Sequence, residues 1–468
     1  MSRRAVVIGA GLAGVLAAAA LSAHADEVIV LDRDELPDGP EHRRGLPQGR
    51  HAHLLMSGGL AAMEYLVPGV PMRERLLDAG AHEISLSSGL LALTPEGWLR
   101  RWRHPGPRML TCSRALLDWV VREAVLAETK TVIRHAQGLA LLGDARRVTG
   151  VRISTEAGET ELDADFVVDA SGRGSRVVHW LESLGVTGIE ERIVDSGLVN
   201  ATRVYRRPAG AEHFPLTILQ ADPYASRPGR AGMVLPIEGD RWMVSLAGTR
   251  GAEPPADPDG FFQYMRDLPH PILARLISGA EPLTDVHTSH STQNARRYLE
   301  KVQDWPEALI VLGDALATFN PAYGQGMSVA ALGAQTLSHA LAQNGFTAPG
   351  LSTKVQHALA APVEGAWSMA VGQDIWYPAT KGPTPTRADH VIAHYSRRLL
   401  KAATGSHTAA AALSSVTSME STASALLRPN VLLAALNGPL LPRLSAPPLT
   451  PAERQTLATL DPGQAEFF

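Results

Sequence analysis

The sequence predicts an α/β fold: a parallel sheet covered by helices, an inserted antiparallel sheet, and a helical segment at the C-terminal end. Three observations predict it. Residues 4–32 read as strand, glycine loop, helix and strand; the apolar runs 166–168 and 308–312 each lead into an acidic turn; and residues 195–250 alternate apolar and polar side chains. At 468 residues the chain is long enough for two or three domains.

Arg4-Ala5-Val6-Val7-Ile8 reads as a short buried strand. Gly9-Ala10-Gly11-Leu12-Ala13-Gly14 follows, then an Ala/Leu helix to about residue 23 and a second strand over 27–31 that ends at Asp32. This is the βαβ dinucleotide fingerprint. Its glycines serve a tight turn, pyrophosphate approach and helix packing, and Asp32, with Arg33 adjoining, is placed for ribose hydroxyls. Arg3-Arg4 and the uncharged run to Ala23-His24-Ala25 also suit a signal peptide. Such a segment has no need of glycines at dinucleotide spacing.

Residues 37–53, rich in Gly, Pro, Arg and His, read as a long loop carrying Arg43, Arg44, Arg50, His51 and His53. A helix is expected over 58–66, and short apolar and turn segments alternate over 74–104. A further helix opens at Ser113, with Leu116, Leu117, Val120 and Val121 on one face. Strands are expected near 131–134, 148–154 and 164–169. Strands over 199–204, 233–236 and 242–247 suit an antiparallel sheet that forms one wall of a substrate pocket. Residues 257–280 read as a short helical region. Beyond residue 345, Ala, Leu, Ser and Thr recur at helical spacing before a Pro-rich tail near 439–451; this segment either caps the substrate domain or serves packing or oligomerisation. The expected domains are a discontinuous cofactor domain of residues 1–73, 105–190 and 290–345, a substrate domain of 74–104 and 191–289, and a C-terminal helical segment of 346–468.

Composition excludes several classes. A formal net charge of −4 gives no case for nucleic-acid binding. Cys112, the single cysteine, excludes an intrachain disulfide framework and a cysteine-rich metal site. No membrane span is expected past residue 25, and a cytoplasmic enzyme is the expectation.

The third fingerprint is the most informative. Gly313-Asp314-Ala315 and Asn320-Pro321-Ala322-Tyr323-Gly324-Gln325-Gly326-Met327 follow the run 308–312 and enter an Ala-rich helix. Asp314 is placed to accept a proton from a ribityl hydroxyl. The amides of Gly324 and Gly326, at a helix N-terminus, suit an anionic flavin edge. Pro321, Gly324, Gly326 and Met327 are therefore the positions expected around the reacting ring, through their backbone, with no side-chain acid or base. Between the two ends of this flavin site lies Phe166-Val167-Val168-Asp169-Ala170-Ser171-Gly172, where Asp169 again presents a carboxylate at a strand end.

In this order the three fingerprints resemble the group A flavoprotein monooxygenase superfamily over residues 1 to about 345. The resemblance implies a Rossmann-like FAD-binding domain. It implies FAD held by Gly9, Gly11, Gly14, Asp32, Gly313 and Asp314, and reduced by NADPH or NADH directly or through a flavin reductase. O2 then gives a C4a-hydroperoxide with an electrophilic distal oxygen. Arg114 looks like the family arginine near the FAD diphosphate. Arg43 and Arg50 would line FAD or, with Arg44, guide NADPH phosphates, although an exposed basic loop explains them as well.

Three segments are similar to bacterial polyene epoxidases of the monensin and lasalocid type: 43–53, 112–119 and Asp374-Ile375-Trp376-Tyr377-Pro378. They imply epoxidation of an extended apolar, polyketide-like alkene, free or carrier-bound, in antibiotic biosynthesis of polyethers. An aromatic hydroxylase is the second reading, and an isoprenoid-chain reductase, which shares the Asp-Ala-Ser-Gly style of motif, the third. Halogenation is disfavoured: no WxWxIP segment is present and no lysine precedes Lys130. His51 and His53 suit flavin-loop contacts or a proton relay, but lack a third ligand for a metal. Arg100, Arg101 and Arg103 suit a solvated loop better than a substrate carboxylate. Of Trp98, Trp102, Trp242, Tyr323, Trp376 and Tyr377, only Tyr323 is placed near the chemistry.

Overall fold

A computed structural model describes residues 2–290 and 292–461; residues 462–468 of the expected C-terminal segment lie outside it. The core is a five-stranded, all-parallel sheet in the order Leu309–Val311, Phe166–Asp169, Arg4–Ile8, Glu27–Asp32 and Thr131–His135. Its three inner strands are Val/Ile-rich and buried almost throughout, as expected of a parallel sheet covered on both faces. The helices Leu12–Ser22, Arg114–Glu128 and Gly326–Asn344 share its hydrophobic core. The stretch that also suited a signal peptide is thus the central strand and its buried helix.

Register brings the three fingerprints together. Ile8 pairs with both Leu31 and Asp169, and Asp169 with Val311. Gly9, Asp32, Ala170 and Gly313 therefore leave the sheet at one edge, beyond the carboxyl ends of the strands, where open α/β sheets bind ligands.

A seven-stranded sheet carries His287–Ser289, Val199–Arg206, Arg241–Gly248, Arg230–Ile237, Leu216–Leu219, Leu90–Thr94 and Gly97–Trp98 in that order. It is antiparallel except for the pairing of Leu216–Leu219 with Leu90–Thr94. Alternation divides its residues between two faces. Ala201, Tyr205, Trp242, Val244 and Leu246 pack under the helices Pro258–Arg266 and Ile272–Leu276. Val204, Met233, Leu235 and Met243 face the other way, against Leu54, Met56 and Met109. Trp98 and Trp242 belong to the first of these cores. Pro269 and Pro271 explain why 257–280 forms two helices rather than one.

The C-terminal helices are Leu351–Asp374, Arg387–Ala403, His407–Thr417, Pro429–Asn437 and Pro451–Leu460. The last one buries Leu457 in the core behind the seven-stranded sheet. It also corrects the reading of the basic cluster. Arg101 donates to Glu453 at 2.6 Å and Arg100 to the Pro442 carbonyl at 2.6 Å, so these two arginines clamp the C-terminal segment. Arg103 is exposed. Strands Gln137–Gly143 and Gly158–Asp163, which flank Val148–Thr155, were not expected; the second is largely solvated and polar, while the first is half-buried and places Leu141 in the core.

Candidate active site

Two of the opening glycines are required by contact rather than by any ligand. Gly9 has φ +101°, and a Cβ there would sit 2.6 Å from the Ala170 carbonyl oxygen. A Cβ on Gly14 would sit 1.8 Å from the Gly9 carbonyl oxygen. Gly11 differs: its Cβ would meet only the Arg43 guanidinium, at 3.5 Å. The space over Gly11 is open at the N-terminus of the helix Leu12–Ser22, which has no side-chain cap and no acid in its first turn. Unsatisfied amides at such a terminus suit an anionic diphosphate.

The surroundings fit that group. Arg43 lies over the loop, its Nη1 3.3 Å from the Ala10 carbonyl and 3.4 Å from Asp32 Oδ2, while its buried Nε has no hydrogen-bond partner. Asp32 accepts the Ala10 amide at 2.7 Å and the Asp34 amide at 3.0 Å, which braces the glycine turn. Arg114 is buried beside this region and donates from Nε to Asp118 at 2.7 Å; it lines one crevice with Arg43 and Trp119.

At the third fingerprint, Gly313 has φ +65°, and a Cβ there would lie 2.6 Å from the Ala13 Cβ, so the two motifs touch. Asp314 follows, half-buried and accepting no hydrogen bond among the described residues. Burial pushes its carboxyl up, opposed by Arg173 and Arg114. A deep carboxylate with no partner from its own chain suits a hydroxyl-bearing ligand. Pro321–Tyr323 forms a single 3-10 turn, Gly324 adopts the left-handed conformation at φ +66°, and the helix Gly326–Asn344 begins directly after. A Cβ on Gly326 would meet nothing within 4 Å, while Met327 is buried in the core.

Other expected residues do not join this cluster. Asp169 does not present its carboxylate to the cleft: it is fully buried and accepts from the Ser171 amide and from the hydroxyls of Ser171 and Ser175. It orders the turn that meets Gly9. Arg33 is exposed, and its guanidinium makes no hydrogen bond among the described residues; only its carbonyl is used, by His135. Arg50 lies against the His287 ring at 3.3 Å and lines a pocket of about 560 Å³ with His42, Arg44 and His51, and His42 also lines the crevice of Arg43 and Arg114.

Sequence reasoning missed two polar arrangements. Asp374, the last residue of the helix Leu351–Asp374, collects hydrogen bonds from the third fingerprint, including one from the Tyr323 hydroxyl at 2.8 Å. The motif 374–378 had been singled out, but no local pattern tied it to the loop. On the inner face of the seven-stranded sheet, His51 Nδ1 hydrogen-bonds Thr202 Oγ1 at 2.9 Å, and Thr202 bonds Ser245 Oγ at 2.9 Å. His53 donates from Nδ1 to the His51 carbonyl at 2.8 Å. Burial lowers both rings, His51 to about 4 and His53 to about 3. No group of three His, Cys, Asp or Glu residues that could hold a metal occurs among the described residues.

The depressed His51 value makes a stability prediction. The unfolded ring, near 6.5, takes up a proton that the folded ring refuses until about pH 4. Stability is therefore expected to fall as pH drops from 6.5 to 4, by up to about 1.4 kcal/mol per pH unit. Melting curves of His51→Gln should show a flatter pH dependence in that window than wild type.

The FAD binding domain family matches residues 3–346. Protein Rv3254 of Mycobacterium tuberculosis is 32% identical over 400 residues, covering 81% of this chain and 82% of the relative. Kynurenine 3-monooxygenase of Salinispora tropica is 27% identical over 355 residues, 70% of each chain. Among solved structures, the flavin-dependent brominase Bmp2 superposes with TM-score 0.62 at 15% identity, over 92% of this chain and 98% of that one. The p-nitrophenol 4-monooxygenase PnpA of Pseudomonas putida gives TM-score 0.58 at 18% identity, over 94% and 100%. Among the described residues no helix is long and apolar enough to cross a membrane.

Proposed function

This chain belongs to the FAD binding domain family, and we propose that it is an FAD-dependent monooxygenase of the group A kind, as its kynurenine 3-monooxygenase relative supports, and that it epoxidises alkenes of an extended apolar, polyene-like substrate. FAD, reduced by NAD(P)H, supplies the activation of O2 for transfer of one oxygen atom. The chain's own residues hold FAD, exclude water and orient the substrate. The glycine turn and Arg43 would carry the diphosphate, Asp32 the ribose, Asp314 the ribityl chain, and the backbone of Pro321, Gly324, Gly326 and Met327 the ring.

One observation carries the substrate class: the polar groups on the face of the seven-stranded sheet that packs, through Leu216, Leu235, Ile237 and Met243, against the buried Leu54, Met56 and Met109. Its polar line is His51–Thr202–Ser245, and a histidine held near 4 is a poor proton acceptor at neutral pH. An alkene is nucleophilic enough without deprotonation, whereas a phenol gains from a base. A carrier protein and a partner flavin reductase are compatible with the same chemistry.

Aromatic hydroxylation is the second reading, favoured by the kynurenine 3-monooxygenase relative. The test is a linear polyene incubated under labelled O2 with the enzyme, FAD, NADPH and a generic flavin reductase. One label per epoxide in the product, with ring-opened diol in acid, is expected. Unchanged polyene alongside labelled phenolic products from an aromatic panel would transfer the assignment to hydroxylation.

A further inference from the structure

We propose that Asp374 is a positioning residue for the flavin loop: its carboxylate, supplied from the C-terminal segment, fixes residues 320–326 and so sets the environment of the flavin ring. The inference goes beyond the substrate assignment and does not depend on it.

Asp374 is 1% exposed, yet no Lys, Arg or His pairs with it among the described residues. Four neutral side chains converge on it instead. Asn320 Nδ2 donates to both oxygens, at 3.2 and 2.9 Å, and the Tyr323 hydroxyl donates to Oδ1 at 2.8 Å. Asn294 Nδ2 donates to Oδ2 at 2.7 Å and Ser196 Oγ at 3.2 Å. The loop is tied a second time, because Asn294 Oδ1 accepts the Asn320 amide at 2.7 Å and Asn320 Oδ1 accepts the Ala322 amide at 3.0 Å. Both ends of the turn that leads into Gly324 are thereby referred to one carboxylate.

The chemistry of this set specifies an anion. Two of the four partners are amide nitrogens that can only donate, so an acceptor-only ionised carboxylate matches them. Burial raises the carboxyl while the four hydrogen bonds oppose that shift. Burying an anion without a cation is unfavourable, and an apolar side chain would fill the same space at less cost. What the carboxylate adds is a defined position for the loop and a negative charge behind it. Residue 374 also lies beyond the family match, which ends at residue 346, so the C-terminal segment itself completes the flavin environment.

A charge behind the loop opposes reduction of the ring to its anionic form. In Asp374→Asn, a donor faces donors and the charge is gone. FAD affinity is expected to fall roughly tenfold, as for loss of charge-assisted hydrogen bonds, and the midpoint potential of the remaining bound FAD to shift upward. Ser196→Ala is the mild companion, because Ser196 lies outside the loop and meets it through Asp374. It should shift the visible absorption and potential of bound FAD in the wild-type background, and leave them unmoved in the Asp374→Asn background. If both variants lower the melting temperature but leave potential, spectrum and FAD release rate as in wild type, Asp374 is a core contact only and the proposal fails. If Asp374→Asn does not fold, Ser196→Ala decides alone: an unchanged potential and spectrum overturns the proposal.

Discussion

Gly14→Ala is expected to abolish the folded, FAD-loaded enzyme. The added carbon would sit 1.8 Å from the Gly9 carbonyl oxygen. Relief requires movement of Gly9, whose own backbone is held at φ +101° against the Ala170 carbonyl. Backbone presses on backbone on both sides, and no flexible side chain is available to give. The helix Leu12–Ser22 is buried along most of its length, so displacing it opens the central core. Soluble yield and the flavin absorbance of purified protein check this. Gly365→Ala is the matched control, because it lies within the helix Leu351–Asp374 and its Cβ meets nothing within 4 Å. It should fold at normal yield, and a Gly14→Ala protein as soluble and yellow as that control would refute the steric account.

Asp314→Ala should behave in the opposite sense: a normal fold, without cofactor. The carboxyl has no hydrogen-bond partner among the described residues and burial raises it, so the apo-protein keeps it at a cost. Removing it is expected to leave the melting temperature of the apo-protein unchanged or higher. Loss of a charged acceptor for a ligand hydroxyl should weaken FAD binding by about 10- to 100-fold, as expected for a hydrogen bond to a charged group. Titration of apo-protein with FAD measures the loss. A variant that binds FAD as tightly as wild type would place the ribityl chain elsewhere.

The two variants separate what a local motif specifies from what a cleft requires. Gly9, Gly11, Gly14 and Asp32 were legible because a βαβ turn is read within one short window of fixed spacing. The strand order was legible only in part. Buried parallel strands such as Phe166–Asp169 announce themselves as continuous apolar runs, but the solvated strand Gly158–Asp163 has no such signature. Arg100 and Arg101 read as a solvated basic loop because their partners, Pro442 and Glu453, lie more than three hundred residues away.

The sequence alone determined the cofactor and the class of fold. Glycines that must turn or yield to backbone, and acids at strand ends, are local necessities, and three in the right order admit few other readings. Tertiary structure alone decided how the named groups are partnered. It turned Asp169 inward to its serines, left Asp314 without a hydrogen-bond partner among the described residues and set Arg50 against His287. It also brought Asp374 to Asn320, Asn294 and Ser196 across 54, 80 and 178 residues of chain. The physical reason is that a hydrogen-bond network is satisfied by whatever donors folding makes adjacent. Such adjacency leaves no period or spacing in the sequence for a reader to find.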